Sequence, residues 1–313
     1  TGSFGKKYIS YLYKKNLAKK IIIFSRDEHK QLELKQNIPE KYHSIFRFFI
    51  GDVRDKNRLD WAIDNDVDIL VHTAALKQVP ATEYNPFETV LTNIIGTQNI
   101  IEVAIDKKVK KCMLISTDKA VSPVNLYGAT KLTAEKLFIS ANIFKGKSLT
   151  KFSVSRYGNV MGSRGSVIPL FMKQNQLQKK FTITHTDMTR FNISLEYAVK
   201  FVNDRIKEMS GGEIYIPKLP SYKILNVAKA INPKLEIKKV GIRQGERLHE
   251  ELINASEKNY AMEYKYYYKI LPNKKMKKIE NSSISYNSYN NKDFLTINEL
   301  KKLIEKNLKD FEI

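Results

Sequence analysis

The stretch KCMLISTDKAVSPVNLYGATK, residues 111–131, decides the fold of this chain. It opens with a short apolar run of strand length, passes through a polar loop and ends in residues that favour a helix. Other apolar runs, separated by stretches with helical spacing, are KKIIIF (19–24), FRFFI (46–50), VDILVH (67–72), FSVSRY (152–157) and GEIYIP (212–217). Apolar strands that alternate with helices predict an α/β fold with a doubly wound, Rossmann-like parallel sheet. Ligands of such sheets bind beyond the carboxyl ends of the strands, so the residues after each strand are the functional candidates.

Periodicity also predicts two helices outside this stretch, one over 87–107 and one from about residue 296. The apolar residues expected on the buried side of the first are Phe87, Val90, Leu91, Ile94, Ile95 and Ile101. Residues 255–294 show little periodicity, which is typical of a surface loop or a partly ordered extension.

The regular alternation of strands and helices ends near residue 160, where a glycine-rich turn follows at 162–165. We therefore expect residues 1–160 to form mainly a dinucleotide-binding domain. Residues 161–313 are expected to form mainly a smaller C-terminal substrate-binding lobe with an extension. Some of these later segments are expected to return to the first domain.

The start of the chain, TGSFGKK, places Gly2, Ser3 and Gly5 before a stretch with helical potential. Glycines at this position let a backbone approach a pyrophosphate at a helix N-terminus. A plain turn explains the two glycines equally well. The chain begins directly on this turn, so we expect the first strand of the sheet to be missing.

The next strand ends in IIIFSRDEHK, residues 21–30, which indicates the cofactor. An acidic residue at this position holds the ribose hydroxyl of NAD, whereas arginine accommodates the 2′-phosphate of NADP. Ser25, Arg26 and Lys30 therefore favour NADP, although Arg26 as a plain loop charge remains the alternative. In GDVRD (51–55), Asp52 and the adjoining Val53 are expected to reach the adenine.

Tyr127 and Lys131 lie four residues apart in a predicted helix, so both side chains share one helical face. A lysine ammonium beside a tyrosine favours the phenolate and lowers its pKa from near 10. The phenolate can then take the proton of a sugar hydroxyl during hydride transfer. A bare Tyr-x-x-x-Lys is common, but here it follows an apolar strand, a Ser-Thr pair and a proline-containing loop.

With these motifs the chain resembles the extended short-chain dehydrogenase/reductase superfamily. Within it, the chain is similar to the soluble inverting UDP-N-acetylglucosamine 4,6-dehydratases of pseudaminic-acid and related pathways. The matching segments, in order, are TGSFGK, FSRDE, FFIGDVRD, HTAALKQVP, TNIIGTQN, STDKA, NLYGATK, RYGNVMGSRGSV, MTRFNIS, GGEIYIPK, IRQGERLHE and YNSYNN.

The resemblance implies an NADP-dependent hydro-lyase acting on a UDP-sugar. NADP oxidises carbon 4, water is eliminated across carbons 5 and 6, and hydride returns to carbon 6 to give a UDP-2-acetamido-2,6-dideoxy-4-hexulose. Tyr127 would take the 4-hydroxyl proton, Lys131 would assist it and hold the nicotinamide ribose, and Thr117 would bind the sugar. Asp118 would protonate the leaving 6-hydroxyl and Lys119 would be the base at carbon 5. That role requires a Lys119 pKa well below 10.4. A plain Asp118–Lys119 surface pair is the alternative.

The subgroup follows from two further features. Dehydratases that retain configuration at carbon 5 carry Asp-Glu where Asp118-Lys119 stands. The large membrane-anchored dehydratases show another residue where Tyr127 stands. Asp-Lys, tyrosine and the lack of an apolar span place this chain with the inverting group.

The resemblance also assigns the rest of the pocket. We expect four of its residues at the cofactor: Ala74, Ala75, Lys77 and Asn93. Lys77 is also expected to contact the substrate. For Asn93, a simple polar position on a helix explains the residue nearly as well. The UDP-sugar would be held by Arg156, Asn159, Arg190, Arg243 and Glu246. His249 is expected to support the structure, and no metal site is predicted. Asn192 and Gln78 depart from the family pattern and could alter sugar preference.

Composition bounds the remaining possibilities. The chain has 313 residues, 54 Lys+Arg against 33 Asp+Glu, a net charge of +21 and a single cysteine. No apolar run approaches the ~20 residues of a membrane span, and one cysteine fits a reducing compartment, so we expect a cytoplasmic protein. A homo-oligomer, dimeric or higher, is also expected. Two other functions remain open: a UDP-hexose 4-epimerase of the same superfamily, and a basic nucleic-acid-binding protein. The spread of the lysines and the lack of a recognised module argue against the latter.

Overall fold

The computed structural model describes residues 1–163, 166–272 and 285–308. Residues 164–165 of the glycine-rich turn and residues 273–284 of the segment 255–294 lie outside the described residues.

Every predicted strand is present, with bounds shifted by two residues or fewer. The strands are β1 Ile21–Ser25, β2 Phe46–Ile50, β3 Ile69–His72, β4 Lys111–Thr117, β5 Lys151–Tyr157, β6 Asn159–Val160, β7 Phe181–Ile183, β8 Thr189–Ile193, β9 Ile214–Pro217, β10 Ser221–Lys223, β11 Ile237–Lys239, β12 Glu251–Ile253, β13 Ala261–Glu263, β14 Tyr267–Ile270 and β15 Tyr286–Asn287. The helices are α1 Ser3–Lys14, α2 Glu28–Gln36, α3 Lys56–Ala62, α4 Val79–Tyr84, α5 Pro86–Val90, α6 Gly96–Asp106, α7 Leu126–Phe144, α8 Val167–Gln176, α9 Leu195–Glu208, α10 Ile224–Ile231 and α11 Ile297–Asn307.

The chain divides into two compact units. Unit 1 consists of Thr1–Ser116, Thr130–Ser155 and Val199–Ile214, and unit 2 of Thr117–Ala129, Arg156–Ala198 and Tyr215–Ile313. A later segment thus belongs to the first unit, and the loop 117–129 belongs to the second, which chain order alone does not predict.

Unit 1 has the α/β alternation expected of a Rossmann-like fold. β1 and β2 pair in parallel from Ile21 opposite Phe46 to Ser25 opposite Ile50, and β3 pairs in parallel with β4, which β5 follows. Strands of this kind are parallel because each is followed by a helix that returns the chain to the same edge. Asp27 caps α2 by accepting from the Lys30 amide, and Asp55 caps α3 in the same way. The predicted α/β class with a largely parallel sheet is confirmed.

The predicted helix over 87–107 forms, but its predicted buried side is only partly right, since Ile101 is fully buried while Phe87 and Ile95 are exposed. It is built from α5, a π-helical segment Leu91–Ile95, and α6. Phe87 is 69% exposed and Ile95 43% exposed. The buried side of its first half is instead polar, formed by Thr89, Thr92, Asn93 and Thr97. The π segment adds residues to one turn, so an apolar stripe counted at 3.6 residues per turn drifts away from the core.

Unit 2 contains shorter sheets. β8 lies between β6 and β10, β7 pairs in parallel with β11, and β12 pairs antiparallel with β15. Its core contains Phe171, Phe181, Ile183, Tyr222, Val227, Leu300 and Ile304. The last two belong to α11, the predicted final helix, which starts with a capping box between Thr296 and Glu299.

Candidate active site

The loop after β4 places Thr117, Asp118 and Lys119 at the carboxyl end of a strand. Thr117 Oγ1 accepts from the Lys119 amide and donates to Asp118 Oδ1 at 2.8 Å. Asp118 is fully buried, and its Oδ1 lies 3.0 Å from Lys119 Nζ. The turn packs against the start of α7 at Gly128, where an added Cβ would come within 2.2 Å of the Lys119 carbonyl oxygen. The glycine of the NLYGATK motif therefore lets this turn approach the helix.

In the predicted Asp118–Lys119 pair the carboxylate is thus fully buried, while the Lys119 side chain is 25% exposed. Burial raises the pKa of Asp118, and the Lys119 charge only partly opposes it. Burial alone would lower the pKa of Lys119, but Asp118 and Glu250 raise it above its ordinary value. The low Lys119 pKa that the sequence required is therefore not met in this arrangement, because two carboxylates surround the ammonium.

Glu250 is a site residue that sequence reasoning missed. Its carboxylate is buried, with Oε1 3.2 Å from Lys119 Nζ and 3.5 Å from Arg190 Nε. Burial alone would raise the pKa of Glu250, but the Lys119 and Arg190 charges lower it below its ordinary value. Within the segment GERLHEE, the sequence analysis singled out Glu246 and His249. Glu250 was missed because no spacing in the sequence connects it with Lys119.

Tyr127 lies in the first turn of α7 and is buried. Burial raises its pKa to about 12, with Asp118 adding to the rise, while Lys119 and a hydrogen bond with Thr117 lower it. Lys119 is thus a cation that favours the phenolate of Tyr127. The same effect predicted for Lys131 stays a prediction. Lys131, one turn further along the helix, is buried in unit 1, and its Nζ donates to the Ile115 carbonyl at 2.8 Å. Burial lowers the pKa of Lys131 to about 8, although Glu135 opposes the change.

Two of the three arginines predicted to hold the UDP-sugar, Arg156 and Arg190, are bonded within the protein. Arg156 is fully buried and donates to both carboxylate oxygens of Glu257 and to the Leu252 carbonyl. Arg190 donates to the Thr189, Leu248 and Arg247 carbonyls. Both guanidinium groups thus contact the chain around β12. Their predicted direct role at the diphosphate stays a prediction.

The remaining residues predicted for the substrate include Asn159, Arg243 and Glu246. Asn192, which departs from the family pattern, lies beside Asn159. Asn159 and Asn192 are opposite each other on β6 and β8. The Oδ1 atoms of both are buried, and no hydrogen-bond partner for either lies within the described residues. Arg243 is exposed, and its amide donates to Glu246 Oε2 at 3.2 Å. His249 Nδ1 lies 2.8 Å from Thr189 Oγ1, in keeping with the structural role expected for it.

Unit 1 carries the residues predicted for the cofactor. Ser25 and Arg26 end β1, and the Gly51 amide donates to the Ser25 carbonyl, so the ends of β1 and β2 are adjacent. Arg26 Nη1 lies 3.5 Å from Asp52 Oδ2, and half of the Arg26 side chain is exposed. Lys30 Nζ lies 2.6 Å from Asp27 Oδ2. Gln31, which the sequence did not single out, donates to Ser25 Oγ and to the Phe49 carbonyl.

The other predicted cofactor residues lie in the same unit. Val53 is buried and packs so closely on α6 that a Cβ at Gly96 would meet it at 2.6 Å. Asn93 bonds the Leu76 amide and carbonyl and Thr130 Oγ1. Its amide group is thus used inside the protein and holds the loop after β3. That loop carries Ala74, Ala75 and the exposed Lys77. The predicted direct contact of Asn93 with the cofactor stays a prediction beside this role in holding the loop.

Across residues 1–163, 166–272 and 285–308, no three His, Cys, Asp or Glu side chains are grouped so that they could hold a metal ion. None of the helices in the described part of the chain is long and apolar enough to cross a membrane.

Comparison with known proteins defines the family. Residues 1–272 match the family described as polysaccharide biosynthesis protein. The chain belongs to this family. A UDP-N-acetylglucosamine 4,6-dehydratase (inverting) from Campylobacter jejuni strain 81-176 is 52% identical over 277 residues, 88% of this chain and 82% of that protein.

Two further proteins extend the comparison. A UDP-glucose 4-epimerase from Rickettsia rickettsii is 42% identical over 86% of this chain and 80% of its own length. The X-ray structure of Pen from Bacillus thuringiensis superposes with a TM-score of 0.90 at 38% identity, covering 97% of this chain and 94% of that one. The resemblance found in the sequence is confirmed, and the dehydratase is more similar than the epimerase.

Proposed function

We propose that this chain is an inverting UDP-N-acetylglucosamine 4,6-dehydratase that uses NADP. The observation that carries the proposal is the ion pair between the buried Asp118 and the half-buried Lys119, in the same unit as Tyr127. A dehydration needs an acid for the leaving hydroxyl and a base for the neighbouring carbon, in addition to the group that serves oxidation. The 52% identity to an inverting dehydratase supports the same assignment.

Each step uses a named side chain. Tyr127 takes the proton of the sugar 4-hydroxyl as carbon 4 is oxidised. The resulting ketone acidifies the proton at carbon 5, which Lys119 removes. Asp118 gives its proton to the 6-hydroxyl, which leaves as water. When bound, the nicotinamide would accept hydride from carbon 4 and return it to carbon 6. As the hydride returns, carbon 5 takes a solvent-exchangeable proton. The protons gained by Tyr127 and Lys119 and the one lost by Asp118 are restored through solvent, so that no net oxidation results.

The buried ion pair can become the acid–base pair by one proton transfer. Moving a proton from Lys119 Nζ to Asp118 Oδ1, across 3.0 Å, produces a neutral amine and a carboxylic acid. The total number of protons is unchanged. Burial disfavours both charges, so exclusion of water by a bound substrate shifts the pair towards this neutral form.

The residues of unit 1 fit a nicotinamide dinucleotide. A Cβ added at Gly2 or Gly5 would meet nothing within 4 Å, so internal packing does not require these glycines. A ligand that approaches the backbone at the start of α1 would require them. Arg26, with its side chain half exposed beside Ser25, suits the 2′-phosphate of NADP. Ser25, Arg26, Lys30 and Asp52 would hold the adenosine end.

The test is to incubate the chain with UDP-N-acetylglucosamine and NADP in D2O and to identify the product by NMR. We expect a 4-keto-6-deoxy sugar with inverted configuration and deuterium at carbon 5. A product with retained configuration at carbon 5 would contradict the inverting assignment. If no keto sugar forms, the dehydratase assignment itself is wrong.

The second candidate is a UDP-hexose 4-epimerase, which the 42% identity to the Rickettsia rickettsii protein favours. It would use Tyr127 and Lys131 without needing Asp118 or Lys119. The same NMR experiment separates the two, because an epimerase gives only the 4-epimer. The nucleic-acid hypothesis has only the +21 charge in its favour. A homo-oligomer, a cytoplasmic location and a place in pseudaminic-acid synthesis stay predictions.

A further inference from the structure

The carboxylate of Glu250 lies between two cations. Its Oε1 faces Lys119 Nζ at 3.2 Å and Arg190 Nε at 3.5 Å. Its Oε2 is buried, and none of the described residues offers it a hydrogen bond. A buried carboxylate with one unpaired oxygen costs free energy, so a purely structural ion pair would be expected to satisfy both oxygens.

Two hydrogen bonds hold the backbone of Glu250. The Glu250 amide donates to Ser288 Oγ at 2.9 Å, and the Ser288 amide donates to the Glu250 carbonyl at 2.8 Å. Ser288 Oγ in turn lies 2.7 Å from Thr189 Oγ1 at the start of β8. The Glu250 backbone is therefore bonded to Ser288, which follows β15, and through Ser288 to Thr189 of β8. From this position the Glu250 carboxylate faces Lys119.

The charge environment is well defined. The titratable and charged groups that act on Glu250 or Lys119, or share their surroundings, are Asp118, Tyr127, Arg190, Tyr222 and Arg247. Asp118 and Glu250 are the acidic groups next to Lys119, and Asp118 is already assigned as the acid. Glu250 is thus the group left to orient the Lys119 amine and to balance its charge.

We propose that Glu250 is a positioning residue for the Asp118–Lys119 pair, holding Lys119 Nζ in place and setting the protonation of the pair. The proposal rests on the dehydratase function proposed above. Glu250 does not react itself. Its negative charge favours the protonated state of both neighbours, and Arg190 moderates that effect from the other side.

The experiment measures kcat and KM for UDP-N-acetylglucosamine against pH, with NADP, in wild type, Glu250→Gln and Glu250→Asp. Removal of a negative charge favours deprotonation of the pair. Both limbs of the kcat profile of Glu250→Gln should therefore move to lower pH. We also expect kcat at the optimum to fall roughly tenfold with KM within about twofold, since orientation is lost and substrate binding is not.

Glu250→Asp keeps the charge and shortens the side chain by one methylene. In Glu250→Asp both limbs of the kcat–pH profile should stay at the wild-type pH while kcat falls. This variant also tests the proposal if Glu250→Gln does not fold. Glu263→Gln, an exposed glutamate of the same unit, is the matched control and should behave as wild type.

The outcomes separate this inference from the proposed function. If wild type forms no 4-keto-6-deoxy sugar, the dehydratase assignment fails. If wild type forms it and Glu250→Gln keeps the wild-type pH limbs, the positioning role is overturned while the function stands. If only Glu250→Asp folds, an unchanged kcat in that variant overturns the role.

Discussion

Arg156 donates to both carboxylate oxygens of Glu257, at 2.9 and 2.8 Å, with its side chain almost completely buried. The same guanidinium donates to the Leu252 carbonyl in β12. This geometry uses the fork of arginine to join the end of β5 to the short helix Glu257–Tyr260. Glu250 immediately precedes β12, so the contacts of Arg156 with Leu252 and Glu257 hold the strand next to this site residue.

The first prediction concerns the stability of this pair. Glu257→Ala leaves a buried guanidinium without its counter-charge, which costs about 3–5 kcal/mol. We expect the free energy of unfolding, measured with urea, to fall by that amount. Replacing both residues by apolar ones, Arg156→Met with Glu257→Leu, should cost less than Glu257→Ala alone.

The exposed pair Lys218–Glu263 provides the control for this measurement. Glu263→Ala should change the free energy of unfolding by less than about 1 kcal/mol, because solvent screens exposed charges. If Glu257→Ala instead raised KM for the UDP-sugar at unchanged stability, Arg156 would be a substrate ligand as first predicted from the sequence.

The second prediction concerns the acid and base of the elimination. Asp118→Asn keeps the shape of the side chain and removes its proton, so kcat should fall by about 10²–10⁴. In Lys119→Met we expect kcat to fall by as much, and we expect no deuterium uptake at carbon 5. Asp187→Asn, at an exposed position of the same unit, is the control and should retain activity. Equal activity in Asp118→Asn would mean that another group protonates the leaving hydroxyl.

The strands and the functional loop could be predicted from the sequence because their signals are local. Each apolar run is bounded by polar residues, and β2 has the same limits in the prediction and in the structure. Asp118 and Lys119 are neighbours in the chain, so their pairing needed no knowledge of the fold. The predicted buried face of 87–107 was wrong at Phe87 and Ile95 because a π-helical turn cannot be recognised from 3.6-residue periodicity.

Partners far apart in the chain could not be predicted. Glu250 meets Lys119 across 131 positions and Glu257 meets Arg156 across 101. An arginine that holds a diphosphate and one that holds a carboxylate have the same local sequence signal. Only the folded arrangement shows which anion each guanidinium contacts, and for Arg156 it is a carboxylate of the protein.

The third prediction concerns the choice of cofactor. Arg26→Ala removes a half-exposed guanidinium at the end of β1, and a hydrogen bond to a charged group contributes about 1.5–3 kcal/mol. The Kd for NADP should therefore rise at least roughly tenfold, with the Kd for NAD changing by less than about twofold. Lys35→Ala, an exposed cation on α2, controls for a general effect of charge. The Kd values are measured by calorimetry. If the Kd for NADP and the Kd for NAD rise equally, Arg26 is a plain loop charge and does not select the cofactor.

The fourth prediction concerns the pH dependence of stability through His72. This side chain is buried at the end of β3, with Nε2 3.0 Å from Thr97 Oγ1. The Thr97 hydroxyl donates to the Asn93 carbonyl, so the histidine must donate to Thr97 as a neutral ring. Burial, aided by the Lys131 charge, lowers the pKa of His72 to about 3.

A folded pKa below the unfolded value of about 6.5 means that the unfolded state binds the proton first. The stability contributed by neutral His72 is therefore complete above the unfolded pKa and is lost as pH falls towards 3. Between pH 7 and pH 5 the loss amounts to about 2 kcal/mol. His72→Phe keeps an aromatic ring beside Phe138. In this variant the free energy of unfolding, measured with urea, should fall by about 2 kcal/mol less than in wild type between pH 7 and pH 5. His29→Gln, at an exposed histidine, should keep the wild-type slope. A wild-type slope in His72→Phe would show that His72 is not held neutral by the fold.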